Sequence, residues 1–293
     1  MTVRAIWYAP GGRIRASWRL ILFVALFVAV TFFVVGVLRR VAAADAMRQD
    51  VLAWVTLGAV VAAQFVMMRL VERRPWSFVG LDAGAARPLL LAKGLVIGAL
   101  GIALPSLLLY AMHWLTVVPE PPGLGALRFG LEMALFLLPA ALFEELLVRG
   151  YPFAVLSETL GWKWALGITS VVFGLLHTTN PNVTAEPIAL VMLAGIFLGA
   201  VLVVTRSLYC AWMAHFAWNF VMAAFMHTAV SGFMNVPPSY ETIETGPDWA
   251  TGGAWGPEGG AFAGGAMLLF TVLLLRRRNR PTSIPTSPDS PVR

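Results

Sequence analysis

Between Arg19 and Arg39 the chain runs for 19 residues without a charged side chain, close to the ~20 that a helix needs to cross the hydrocarbon core of a bilayer. Backbone in hydrocarbon must satisfy its own N–H and C=O groups, so a run of this kind is expected to form a spanning helix. Arg4, Arg13, Arg15 and Arg19 ahead of it, and Ala42-Ala43-Ala44 behind it, have the outline of a signal peptide. The run exceeds the ~7–15 apolar residues of a signal sequence, and Arg39 and Arg40 separate it from the alanines. An uncleaved first span is the expected outcome.

Further apolar segments follow at about 51–70, 89–114, 127–148, 164–177, 188–205, 208–230 and 261–275, and with 18–38 they predict an all-α, polytopic bundle of about eight transmembrane helices. The segments at 164–177 and 261–275 are short. Hydrophobic residues are 59% of the chain and charged residues 12%, against roughly 45–50% and about 25% in soluble domains. That balance excludes a soluble globule and a disordered chain, and the single cysteine, Cys210, excludes an intrachain disulfide scaffold. A net charge of +6 would suggest a nucleic-acid partner in a soluble protein. Here the arginines border the apolar segments, as membrane topology requires, so no nucleic-acid partner is expected.

The charges also test the span count. With both termini cytoplasmic, 17 of the 21 basic residues fall on the inner side, leaving Arg39, Arg40, Arg48 and Arg128 outside. A multi-pass integral protein is expected, in the cell membrane if the source is bacterial. Residues 1–280 are expected to form one membrane domain, and the Pro/Ser/Thr-rich stretch 281–293 a disordered cytoplasmic tail. Residues 231–260 hold acids but no Lys or Arg, and read as a partly flexible outer loop. His113 and His227 are expected at outer, solvated interfaces. No internal or inverted repeat is visible.

Ionisable residues inside spans need partners or a function, since each costs roughly 2.5–3.5 kcal/mol on insertion scales. They concentrate in three segments. The fourth ends in Glu144-Glu145-Leu146-Leu147-Val148-Arg149, two carboxylates about 100° apart around a helix. Glu145 and Arg149 stand at i and i+4 in the order that favours an ion pair, which leaves Glu144 without that cation. Glu144 is thus a candidate general base or acid, or else a satisfied interfacial residue. The fifth segment ends in Phe173-Gly174-Leu175-Leu176-His177, and the seventh carries His215 and Asn219 one turn apart on a shared face. Each histidine alone reads equally as an interhelical hydrogen-bonding residue. Together the four side chains supply a base, two imidazoles and an amide, the groups needed to hydrolyse a peptide bond with an activated water.

The pattern Glu144-Glu145-xxx-Arg149, Phe173-xxx-His177 and His215-xxx-Asn219 resembles the three motifs of the CAAX protease and bacteriocin-processing family of intramembrane proteases, which includes the type II CAAX prenyl endopeptidases. The resemblance covers about 125–228 with no departure at the motif positions, while the first three spans and the last match only in general layout. It implies an intramembrane endopeptidase acting on a membrane-associated protein or peptide. It further implies that Glu144 and His177 activate the water and that His215 and Asn219 hold the oxyanion. Glu145, Arg149 and Phe173 would support the site.

Family members have been described both as metalloproteases and as glutamate-dependent enzymes. Glu144, His177 and His215 could ligate zinc, but the helix signature His-Glu-x-x-His is absent, which favours a site needing no cofactor. Two rival readings remain for the same residues: a transporter with an intramembrane Glu/His proton relay, and a non-catalytic immunity or interaction protein on the same scaffold. The catalytic reading carries a difficulty of depth. Glu144 and His215 would lie roughly 8–12 Å from the inner edge, and His177 about 20 Å if its span begins at Trp164. The expectation is that this span starts below the membrane surface and tilts.

Overall fold

The computed structural model describes residues 6–9, 12–42, 49–119, 124–234 and 240–278. The sequence expectation of a disordered tail over 281–293 therefore lies outside the described residues. The first helices are α1 (Ala16–Ala42), α2 (Gln49–Val66), α3 (Pro88–Ala111) and α4 (Leu124–Glu145). Next come α5 (Tyr151–Leu160), α6 (Trp162–Leu176), α7 (Ala185–Thr205) and α8 (Leu208–Phe220). The short α9 (Asp248–Thr251) and the long α10 (Ala261–Arg278) complete the set. Helices α2, α4 and α8 each pass into a π-helical turn, at Met67–Val71, Leu146–Gly150 and Val221–Met226.

The molecule is a helical, multi-pass membrane bundle, but the expected count of eight full spans is not met. Five described helices are long and apolar enough to cross a bilayer: Ala16–Val41, Val51–Val71, Pro88–Ala111, Ala185–Thr205 and Leu208–Met226. The other three fall short for identifiable reasons. Helix α4 carries Arg128, Glu132, Glu144 and Glu145 within 22 residues, α6 has only 15 residues, and α10 reaches 18 only by including Arg276, Arg277 and Arg278. One strand pair also departs from the all-helical expectation. Strand β1 (Leu115–Pro119) pairs antiparallel with β2 (Tyr240–Glu244), with Leu115 opposite Glu244.

Helix α8, which carries His215 and Asn219, is packed between α3 and α4, with α7 also against it. Its contact with α3 is unusually close. A Cβ on Gly98 would fall 1.9 Å from the Ala214 carbonyl oxygen, and one on Gly94 2.3 Å from that of Cys210. Two glycines a turn apart thus let the backbones touch, as small residues do in membrane helix pairs. On the other side, Trp212 Nε1–H donates to the Leu138 carbonyl (2.9 Å), tying α8 to α4 one turn from His215.

The depth difficulty is resolved by α5. The π-helical turn ends at Gly150, where a side chain would collide with Gln64, and the Gln64 Oε1 accepts the Tyr151 N–H (3.1 Å) that begins α5. Ten residues of α5 then carry the chain ~15 Å onward, and after Gly161 the 15 residues of α6 return ~22 Å alongside it. This hairpin brings His177, the residue that caps α6, back to the level of Glu144.

Within 231–260, expected as a partly flexible outer loop, the described residues 231–234 and 240–260 are held against the bundle. Besides β2 and α9 they form short 3-10 turns at Gly253–Trp255 and Pro257–Gly259, and they bury Trp255 and Glu258 against the bundle. His227 also differs from expectation. It is buried, stacks on Tyr240 at 3.8 Å between ring centroids, and pairs its Nδ1 with the Tyr240 carbonyl at 2.9 Å.

Candidate active site

Three of the sequence-predicted residues meet at one point. Glu144 Oε2 lies 3.8 Å from His177 Nε2 and 3.8 Å from His215 Nε2. The tautomers follow from what each Nδ1 faces. His177 Nδ1 is 2.8 Å from the Phe173 carbonyl, which only accepts, so Nδ1 donates and Nε2 of the neutral ring keeps its lone pair for Glu144. His215 Nδ1 is 3.0 Å from Glu145 Oε1, the same oxygen that accepts from Arg149 Nη1 at 3.2 Å. This carboxylate is already matched to a guanidinium, so it too accepts, and His215 Nε2 is presented to Glu144.

The i, i+4 pair Glu145–Arg149 is fully buried, with neither side chain exposed. Phe173 is the wedge that holds this layer together. Its ring has the Arg149 guanidinium over it at 3.8 Å and touches His177 and His215 edge-on, at centroid distances of 4.8 and 5.9 Å. The buried Arg149 thereby has a carboxylate at Nη1 and an aromatic ring against its face, while its Nε and Nη2 make no hydrogen bond to the described residues.

Asn219, one turn beyond His215, is half-buried and lines a cavity of about 30 Å³ together with Phe173, His177, His215, Ser231 and Glu258. That volume holds one or two water molecules. Sequence reasoning missed Glu258, which it left among the acids of an outer loop. Its Oε2 accepts from Trp218 Nε1–H (3.0 Å), and its Oε1 accepts from the Ser231 N–H (2.8 Å) and hydroxyl (2.7 Å). Asn180 Nδ2–H donates to the Ser231 carbonyl at 2.9 Å, so the segment closing the cavity is pinned from two sides. The local signal available, one acid in a Gly/Pro-rich stretch, carries no indication of this return into the bundle. The Arg128–Glu132 pair, by contrast, is exposed and does not line this cavity, with Nε to Oε1 at 2.8 Å.

Among the described residues no three or more His, Cys, Asp or Glu side chains are grouped to hold a metal ion. Of the zinc candidates, Glu144 Oε2 stands 3.8 Å from the Nε2 of His177 and of His215, wider than the ~3.3 Å between ligands sharing one tetrahedral zinc at ~2.0–2.1 Å bonds. To share that metal, both imidazoles would have to move about half an ångström closer to Glu144.

Residues 126–221 match the family described as type II CAAX prenyl endopeptidase Rce1-like. The match to this CAAX protease domain covers part of the chain. The matched stretch contains Glu144, Glu145, Arg149, Phe173, His177, His215 and Asn219, and at the family level it is that of a hydrolase acting on peptide bonds. Neither the curated proteins nor the solved structures yielded a match to the chain.

Proposed function

We propose that this protein is an intramembrane endopeptidase that cleaves a membrane-associated protein or peptide with a water activated by Glu144 and His177. The observation that carries the reading is the convergence of Glu144 Oε2 on two imidazole Nε2 atoms at 3.8 Å. Two lone pairs and a carboxylate oxygen repel one another at that spacing unless a hydrogen-bond donor lies among them. A water there donates to Glu144 and His177 and keeps an oxygen lone pair for attack on the scissile carbonyl carbon. Glu144 takes the proton as the C–O bond forms, and returns it to the leaving amine as the C–N bond breaks.

The oxyanion needs donors that face it in the transition state. The Asn219 amide supplies one. His215 supplies a second when its Nε2 also carries a proton, the imidazolium then lying against the Glu145 carboxylate through Nδ1. In this reading Glu145, Arg149 and Phe173 hold the imidazoles in register and do not touch the substrate. The side that carries 17 of the 21 basic residues faces the cytoplasm, along with both termini and the mouth of the site. Quantitative proteomics of membranes containing wild type or Glu144→Ala tests the proposal. Fragments that appear only with the carboxylate are expected, and identical fragment profiles would remove it.

A further inference from the structure

Away from the catalytic cavity, a second and larger cavity of about 420 Å³ opens where α5, α6, α7 and α10 approach the loop after α2. Arg74, Arg149, Arg206 and Arg278 line it, together with Trp162 and a single carboxylate, Glu158. That carboxylate is already over-matched. It takes Arg13 Nη1 at 3.0 Å, Arg19 Nη1 at 3.1 Å and Arg74 Nη2 at 2.5 Å. Burial would push Glu158 up, yet the hydrogen bonds from Arg19 and Arg74 outweigh it and hold the carboxyl below its ordinary value.

Arg206 and Arg278 are exposed and form no ion pair among the described residues, and Arg278 holds its guanidinium over the Trp162 ring at 4.2 Å. Arg206 caps α7 with φ 55°, a left-handed conformation that glycine adopts without strain. Arg149 also lines the cavity, but its side chain has no exposed surface, so its guanidinium stays with Glu145 and Phe173 and the reachable donors are those of the exposed arginines.

We propose that this cavity binds a phosphate group, with the exposed Arg206 and Arg278 as its donors. A single arginine fork satisfies both oxygens of a carboxylate. Arginines that line one cavity from separate chain segments, Arg74, Arg206 and Arg278, instead suit an anion with three or more acceptor oxygens. A volume of this order takes a whole headgroup, and basic pockets between helix ends are where acidic lipids place one. The shared chemistry is a phosphate monoester or diester, from a lipid or free in solution. The site requires neither proteolysis nor a particular orientation of the chain.

The test uses the full-length protein purified in uncharged detergent, titrated with dihexanoyl phosphatidic acid, dihexanoyl phosphatidylcholine or inorganic phosphate, with binding counted by native mass spectrometry. Saturable one-to-one binding of phosphatidic acid or inorganic phosphate is expected in wild type. It should weaken at least about tenfold in Arg206→Gln/Arg278→Gln, a difference of ~1.4 kcal/mol. Arg39→Gln/Arg128→Gln, which removes the same charge elsewhere, should bind as wild type. Competition by inorganic phosphate identifies free phosphate as the occupant, and binding of phosphatidic acid alone identifies a lipid headgroup. Undiminished binding in Arg206→Gln/Arg278→Gln, an equal loss in the charge-matched control, equal affinity for phosphatidylcholine, or no saturable phosphate binding would each overturn the proposal. Should the double variant fold poorly, Arg278→Gln alone carries the same prediction. Repeating the titration on Glu144→Gln keeps the result separate from any failure of the protease reading.

Discussion

His215 Nδ1 and Glu145 Oε1 lie 3.0 Å apart, so the second of two adjacent glutamates orients an imidazole and the first faces its other nitrogen. The two carboxylates differ in surroundings as well. The Glu145 side chain has no exposure and is bound to Arg149, whereas that of Glu144 is 29% exposed.

This asymmetry predicts distinct phenotypes. Glu144→Gln should abolish cleavage with little change in folded yield, because it removes the base and leaves the packing intact. Glu145→Gln should strand the buried Arg149 charge and lower stability by roughly 3–5 kcal/mol, the range for breaking one side of a buried pair. Thermal unfolding of both purified variants beside a fragment assay separates the outcomes. Wild-type turnover in Glu144→Gln would remove its catalytic assignment.

Glu258 should behave as a structural acceptor. It accepts from Trp218 through one oxygen and from Ser231 twice through the other, so Glu258→Gln turns an NH2 group toward a donor whichever way the amide lies. A loss of about 1–3 kcal/mol is expected. Ser231→Ala removes a single hydroxyl donor and should cost about 1 kcal/mol or less. Equal stability of Glu258→Gln and wild type would show that the 231–260 segment is not held by this carboxylate.

The legible part of this site was the set of residue types that hydrocarbon disfavours. Glu144, Glu145, Arg149, His177, His215 and Asn219 stand out in apolar runs because each needs a partner there, and helical spacing alone pairs Glu145 with Arg149. What could not be read was how distant segments return to one another. The α5–α6 hairpin that lowers the start of the fifth apolar segment depends on Gln64 capping Tyr151 from 87 residues away. Pairing of Leu115 with Glu244 and burial of Glu258 beside Trp218 are likewise tertiary, so composition placed both acids in a solvated loop. The span count went wrong for a different reason. Apolarity marks where a segment can be buried, but charge or shortness leaves α4, α6 and α10, each taken alone, below the length and apolarity of a full span.

Glu244 gives a pH signature outside the membrane-spanning helices. Burial, aided by the nearby Asp248 charge and opposed by a hydrogen bond from Thr251, pushes its carboxyl up to about 7. A raised carboxyl favours the protonated folded state, so its contribution is full below the ordinary value of 4.5 and is lost as pH rises through 7. The folded protein should lose up to about 3 kcal/mol over that window, an upper figure because the side chain is only partly buried. Glu244→Gln should flatten the dependence and be the more stable form near pH 8. Parallel Tm–pH curves for variant and wild type would refute this assignment.

Topology can be tested with single cysteines, because the native Cys210 is buried and contributes little labelling background. Ser287→Cys should react with an impermeant maleimide only after the membrane is opened, and Thr116→Cys, at an exposed position of β1, from the outside. Labelling of Ser287→Cys in intact cells would reverse the proposed orientation and put the mouth of the site on the opposite face.

The last prediction concerns what stabilises the tetrahedral intermediate. With Asn219 as an oxyanion donor, Asn219→Ala should lower kcat by roughly 10²–10³, while KM changes far less, because the donor acts mainly in the transition state. A zinc mechanism makes a different demand on the same residues: His177→Ala and His215→Ala would each lose bound metal, and chelation would silence the wild type. In the proposed reading, the 3.8 Å separations of Glu144 from His177 and from His215 are those of groups around a shared water. Metal analysis of the purified protein, with assays before and after chelation, therefore decides between them. Full activity after chelation is the expected result. Stoichiometric zinc whose removal stops turnover and whose return restores it would show that the histidines close by about half an ångström around a metal, and that Glu144 works beside it.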